Sequence, residues 1–156
     1  INKENPVTKQ LIDAYDKYEK GIAGVQEVSE EAILRYSTMK VEHIEKNLYH
    51  LTDMIEKPKK EEIISLFTIL GRIILPADIF DILDRTPVAE NGELQLTDAM
   101  KIMANETGMI AVDFEGKRYD IGNKLSVMQA QVEMSLKHPE IGEDFKTYLK
   151  EYAKTL

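Results

Sequence analysis

Residues 63–75 read IISLFTILGRIIL, and this stretch limits the fold more than any other. From Phe67 to Leu75 the apolar side chains stand at odd and even positions alike. An extended chain here would present apolar groups to both faces of a sheet, and each face then needs a covering layer. Gly71 and Arg72 interrupt the run, which is also too short for a membrane span of about 20 helical residues. The pattern predicts a central strand, covered on each side, in a layered α/β protein.

Candidates for those layers lie to either side. Asn5 and Pro6 mark a helix start, a capping side chain followed by a residue with no N–H to lose. Val7, Leu11, Tyr15 and Tyr18 then recur at helical spacing, until Gly21 ends the helix. Residues 22–28, IAGVQEV, read as a strand and Ser29-Glu30-Glu31 as the turn after it. Residues 35–38 begin another extended run, residues 42–47 form a charged turn, and residues 48–55 return as the second strand of a hairpin. Pro76 opens a short helix over 77–83, and residues 87–92, PVAENG, form a loop. Thr97 offers a capping hydroxyl and Asp98 a first-turn acid to a helix whose apolar face is Ala99, Met100, Met103 and Ala104. Residues 109–114 are a further strand, Glu115-Gly116 a tight turn, and residues 117–122, KRYDIG, a return segment. Two helices follow. The first, 124–137, aligns Leu125, Met128, Val132 and Leu136; the second, 143–154, aligns Phe145, Tyr148, Leu149 and Tyr152.

The chain has 156 residues, 43% of them hydrophobic, enough for one domain or a large part of one. Its net charge of -8 opposes a nucleic-acid polymer as the main partner, since phosphate backbones are bound by clustered Lys and Arg. No segment predicts a membrane partner. There is no cysteine, hence no disulfide frame, thiolate nucleophile or zinc-finger spacing, and the cytoplasm is the compartment expected. His43, His50 and His138 lack the helical spacing of a metal pair. The opening INKENPVTKQ has no signal-peptide layout and no initial Met, so it reads as a cut.

Chemistry concentrates in residues 49–60, YHLTDMIEKPKK. An extended segment delivers an acid, Glu56, and a base, Lys57, to a point where Pro58 stops regular pairing. At a strand end the chain bends, and both side chains can be aimed into one cleft to read an anion and hydroxyls. The same residues can equally form a solvated turn, because Lys57, Lys59 and Lys60 are a charge run.

Glu56-Lys57-Pro58, followed by Gly92-Glu93-Leu94-Gln95-Leu96-Thr97-Asp98-Ala99 and Tyr119-Asp120-Ile121-Gly122, resembles the second half of bacterial UTP–glucose-1-phosphate uridylyltransferase, also called UDP-glucose pyrophosphorylase. The resemblance covers the whole chain. It implies part of a Rossmann-like nucleotidyltransferase mixed sheet flanked by helices, with C-terminal helices beyond. Residues 1–156 would be the C-terminal, sugar-phosphate half of that domain, and the nucleotide-binding N-terminal half would lie outside it. None of the eight glycines forms a triphosphate loop. The implied reaction joins UTP and glucose-1-phosphate into UDP-glucose and pyrophosphate with Mg²⁺. Glu56 would accept sugar hydroxyls and Lys57 would be the catalytic contact to the sugar phosphate. Tyr36, Ser37 and Glu93 would line the sugar side, and Asp120 would help hold Mg²⁺. Two positions depart from the pattern. Ser37 stands where glycine lets the backbone approach the sugar, and Leu66 where an asparagine is usual. A non-catalytic relative of the same fold and a sister transferase using dTTP or another hexose phosphate stay open, as does a homo-oligomer through the C-terminal stripe.

Overall fold

The computed structural model describes residues 4–89 and 92–156; the first three residues of INKENPVTKQ and two positions of the PVAENG loop lie outside the described residues. The chain divides after Gly116 into two compact units.

The first unit opens with helix α1, Val7–Tyr18, which starts one residue later than the Asn5-Pro6 pair predicts. Glu19 closes it in the left-handed conformation at φ 51°, so Gly21 is free to begin strand β1, Gly21–Glu27. Ser29 then caps a short helix, α2, Glu30–Ile33, by accepting from Ala32 N, and this corrects the turn expected there. An acid-rich turn and a helix start share their residue types, and the cap decides between them. Strands β2, Ser37–Glu45, and β3, Leu48–Glu56, form the expected hairpin. The turn is tighter than the charge pattern suggests, because pairing continues to Glu45 opposite Leu48. Strand β4, Phe67–Ile74, leads to helices α3, Ile79–Arg85, and α4, Leu96–Glu106, and then to strand β5, Met109–Asp113.

The sheet is mixed, in the order β2-β3-β5-β1-β4. β1 and β5 are parallel; the other pairings are antiparallel. Ala23, Val25, Met109 and Ala111 face α3 and α4, whose Ile79, Ile82, Ala99, Met100 and Met103 complete that core. Ile22, Ile110 and Val112 face the other way, onto Leu11 and Ala14 of α1. Residues 67–75 are therefore not the central strand expected: β4 lies at the edge. Its two-sided apolar pattern is still explained, since Phe67, Ile69 and Ile73 meet one core and Leu70 and Ile74 the other. Such a pattern reports cover on both faces and says nothing of lateral neighbours.

Opposite Gly24 the β1–β4 pairing jumps, from Ala23↔Ile73 to Val25↔Ile69, and Gly71 and Arg72 adopt φ 69° and 74°. This bulge carries the Arg72 carbonyl so close that a Cβ on Gly24 would stand 3.1 Å from it and 3.3 Å from Phe114 Cδ1. Any side chain there would require the Arg72 carbonyl or the Phe114 ring to give by a few tenths of an ångström.

The second unit holds helices α5, Lys124–Leu136, and α6, Gly142–Ala153. Residues 117–122 form no strand, in place of the return segment predicted. They are tied to α5 instead: Glu133 accepts from Lys117 Nζ at 2.5 Å and from Tyr119 Oη at 2.8 Å. Leu125, Met128, Val132 and Leu136 share a face of α5 and are exposed.

Gly24→Ala in the protein carrying this chain is expected to cost about 1–3 kcal/mol by overpacking, seen as a lower urea midpoint at unchanged slope. A wild-type midpoint would contradict the close approach.

Candidate functional site

The end of β3 is where the candidate residues gather. Ser37 at the start of β2 pairs with Glu56 at the end of β3. One step further the Lys57 N–H donates to the Tyr36 carbonyl at 2.6 Å. Tyr36, Ser37, Glu56 and Lys57 therefore meet on adjacent chains. Lys57 is exposed and takes φ 45°, the left-handed region that costs a non-glycine residue about 1–2 kcal/mol. Buried Pro58 follows, and the Lys59 N–H donates to Glu62 Oε2 at 2.7 Å, closing a 3₁₀ turn over Lys60–Glu62. The lysine run is thus divided: Lys60 belongs to the turn, and Lys57 to the strand end.

Helix α4 packs across β3. Lys101 Nζ reaches Asp53 Oδ1 at 2.8 Å, and one turn earlier Thr97 and Asp98 come close to Glu56. Burial pushes the Glu56 carboxyl above its usual range; neighbouring Asp98 adds to this, while Lys57 and the Thr97 hydroxyl favour the ionised form. Thr97 is not the helix cap expected. Gln95 takes the cap position, and Thr97 Oγ1 is buried with no closed hydrogen bond among the described residues. A buried hydroxyl left so costs about 1–3 kcal/mol.

The start of β2 is held by a hydroxyl network that residue patterns did not single out. Buried Thr38 donates to the Ser65 carbonyl at 2.8 Å and accepts from the Ile64 and Ser65 N–H groups. Ser65 Oγ donates to the Met39 carbonyl at 2.7 Å. Thr68 Oγ1 accepts from Ser37 N at 3.1 Å and lies 3.2 Å from Ser37 Oγ, which also accepts from Ile69 N. Ser37 is only 3% exposed, so its side chain is engaged by β4. Leu66, at the other departure, gives its carbonyl to Val28 N at 3.0 Å.

Glu93 is exposed, three residues before α4, and accepts from Gln95 Nε2 at 2.9 Å. Asp120 belongs to the second unit, where Oδ1 accepts from Gly122 N at 3.0 Å and Oδ2 lies 3.6 Å from Arg118 Nη2. Among the described residues no three His, Cys, Asp or Glu side chains group as metal ligands. One carboxylate fits an ion that is bound mostly through substrate phosphates and water, as Mg²⁺ commonly is. An open depression lined by Tyr18, Glu19, Lys20, Pro76, Ala77, Asp78 and Thr107 contains none of these residues. Its shape alone does not mark the chemistry.

A UTP–glucose-1-phosphate uridylyltransferase of Staphylococcus epidermidis is 36% identical over 97% of this chain and 52% of its own. One of Streptococcus pyogenes is 36% identical over 97% and 50%. The chain is a homologue of these uridylyltransferases. It spans about half the length of the relatives it matches. A UDP-glucose pyrophosphorylase solved with UDP-glucose superposes with a TM-score of 0.83 at 37% identity, over 88% of this chain and 53% of that one. The Acinetobacter baumannii enzyme gives 0.85 at 25% identity, over 97% and 52%. The α/β sheet described above is thus shared with about half of each of these solved enzymes. No family model matches the sequence.

In this uridylyltransferase homologue the pressure on Glu56 has a thermodynamic sign. A carboxyl whose pKa rises on folding stabilises the fold at acid pH, and that contribution is lost as pH climbs through the raised value. At pH 7 the half-buried carboxylate is a net cost. Glu56→Gln is therefore expected to keep or raise the melting temperature at pH 7, with the advantage shrinking toward pH 4. A clear drop at pH 7 would mean that Glu56 is a structural ion pair.

Proposed function

We propose that the protein carrying this chain transfers the uridylyl group of UTP to glucose-1-phosphate, releasing pyrophosphate and forming UDP-glucose, in the cytoplasm. This chain supplies the sugar-phosphate side of a Rossmann-like nucleotidyltransferase. The names of the relatives support the reading, as does the UDP-glucose held by a structural neighbour. The observation that carries it is the Glu56-Lys57 pair at the end of β3, a half-buried acid beside an exposed base held in a left-handed conformation.

The reaction needs two anions placed in line and their charge neutralised, with little covalent work for the protein. Lys57 meets the sugar phosphate, and its fixed backbone lowers the entropy lost on binding. The Glu56 carboxylate accepts from sugar hydroxyls, and its half-buried setting strengthens those bonds relative to water. Tyr36 and Ser37 hold the facing strand, and Glu93 borders the approach along the segment before α4. Asp120, in the second unit, would give a carboxylate to Mg²⁺, whose charge would offset that of phosphate.

Lys57→Gly separates chemistry from backbone, because glycine adopts the left-handed conformation freely. The variant is expected to melt no lower than wild type while losing at least about tenfold in turnover of UTP and glucose-1-phosphate, roughly 1.4 kcal/mol. Full activity would contradict the role of Lys57. A preference for dTTP over UTP in the wild type would contradict the uridylyl assignment.

A further inference from the structure

The role of Glu56 leaves one group unexplained. Thr97 Oγ1 is buried and closes no hydrogen bond among the described residues, and it lies close enough to act on the Glu56 carboxylate. Thr97 and Lys101 lie one turn apart on one face of α4. Lys101 is anchored on Asp53 of β3, which fixes the register of that face against the strand that ends in Glu56. The hydroxyl is thus delivered to the carboxylate by a helix clamped in place.

We propose that Thr97 is a positioning residue for Glu56, donating its hydroxyl to one carboxylate oxygen so that the other stays open to the hydroxyls of the bound sugar. The proposal rests on the reading of Glu56 given above. A carboxylate accepts at both oxygens, whereas a protonated carboxyl turns one of them into a donor and loses half of that recognition. The charged groups acting on Glu56 divide: Lys57 beside it favours the carboxylate, and Asp98 on α4 opposes it. Burial opposes it too. Among neutral groups Thr97 is the one that acts to keep Glu56 an acceptor.

The test compares wild type, Thr97→Val, Thr97→Ser and Asp98→Asn in the protein carrying this chain. The Glu56 side-chain carboxyl is titrated by carbon-13 NMR, with Glu56→Gln to assign its signal, and steady-state kinetics are taken with glucose-1-phosphate. Thr97→Val removes a donor, so Glu56 should titrate at higher pH; Thr97→Ser should restore the wild-type value. Asp98→Asn should move it lower. KM for glucose-1-phosphate is expected to rise about fivefold or more in Thr97→Val, with kcat changed less than about twofold. An unmoved titration in Thr97→Val overturns the proposal. Should that variant fail to fold, a Thr97→Ser protein that titrates and binds unlike wild type overturns it equally. A wild type that turns over no sugar phosphate sinks the enzymatic reading, while the titration still decides whether Thr97 acts on Glu56.

Discussion

β1 and β5 lie side by side and point the same way, and much of the molecule follows from that pairing. Parallel strands cannot be joined by a hairpin; the chain must leave the sheet, cross a face and return. Here the return is made by α3 and α4, which cover one face of the pair while α1 covers the other. On the outward journey the chain lays down the β2–β3 hairpin and β4. The same crossing brings the first turn of α4 against the end of β3, where Glu56 and Lys57 emerge. Site and scaffold share one cause.

Small costs accumulate at that strand end. Lys57 sits at positive φ, Thr97 keeps a buried hydroxyl unsatisfied, and Glu56 holds a carboxyl that burial and Asp98 both push toward protonation. Buried polar groups elsewhere in the first unit are well partnered. Gln10 donates to the Asn5 and Glu115 carbonyls and accepts from Glu115 N, the Thr38 hydroxyl is bonded to Ile64 and Ser65, and the Thr68 hydroxyl is bonded to Ser37. Departures from good packing chemistry are expected to cluster where a ligand completes them. The β3 end fits that expectation.

How legible this was in the sequence depended on the kind of information each element needs. α1, β1 and β5 follow from local periodicity and emerged close to their observed bounds, while the hairpin was legible but its turn was drawn four residues too wide. The lateral place of β4 did not, because residues apolar on both sides describe layers above and below, not the strand alongside. Ser29 was misread because capping and turning use the same side chains. Thr97 was misread as a cap because only the fold shows that α4 begins at Leu96 and turns Thr97 toward a strand some forty positions earlier. Glu56 and Lys57 were visible as an acid and a base before proline, and resemblance raised them above a solvated turn. The contribution of Asp98 to Glu56 is tertiary throughout, and no spacing in the chain announces it.

The most direct measurement is a crystal structure of the protein carrying this chain with UDP-glucose bound. The account predicts sugar hydroxyls donating to the Glu56 carboxylate and Lys57 Nζ within about 3 Å of the phosphate that bears the sugar. A sugar seated away from the end of β3, touching neither residue, would contradict it.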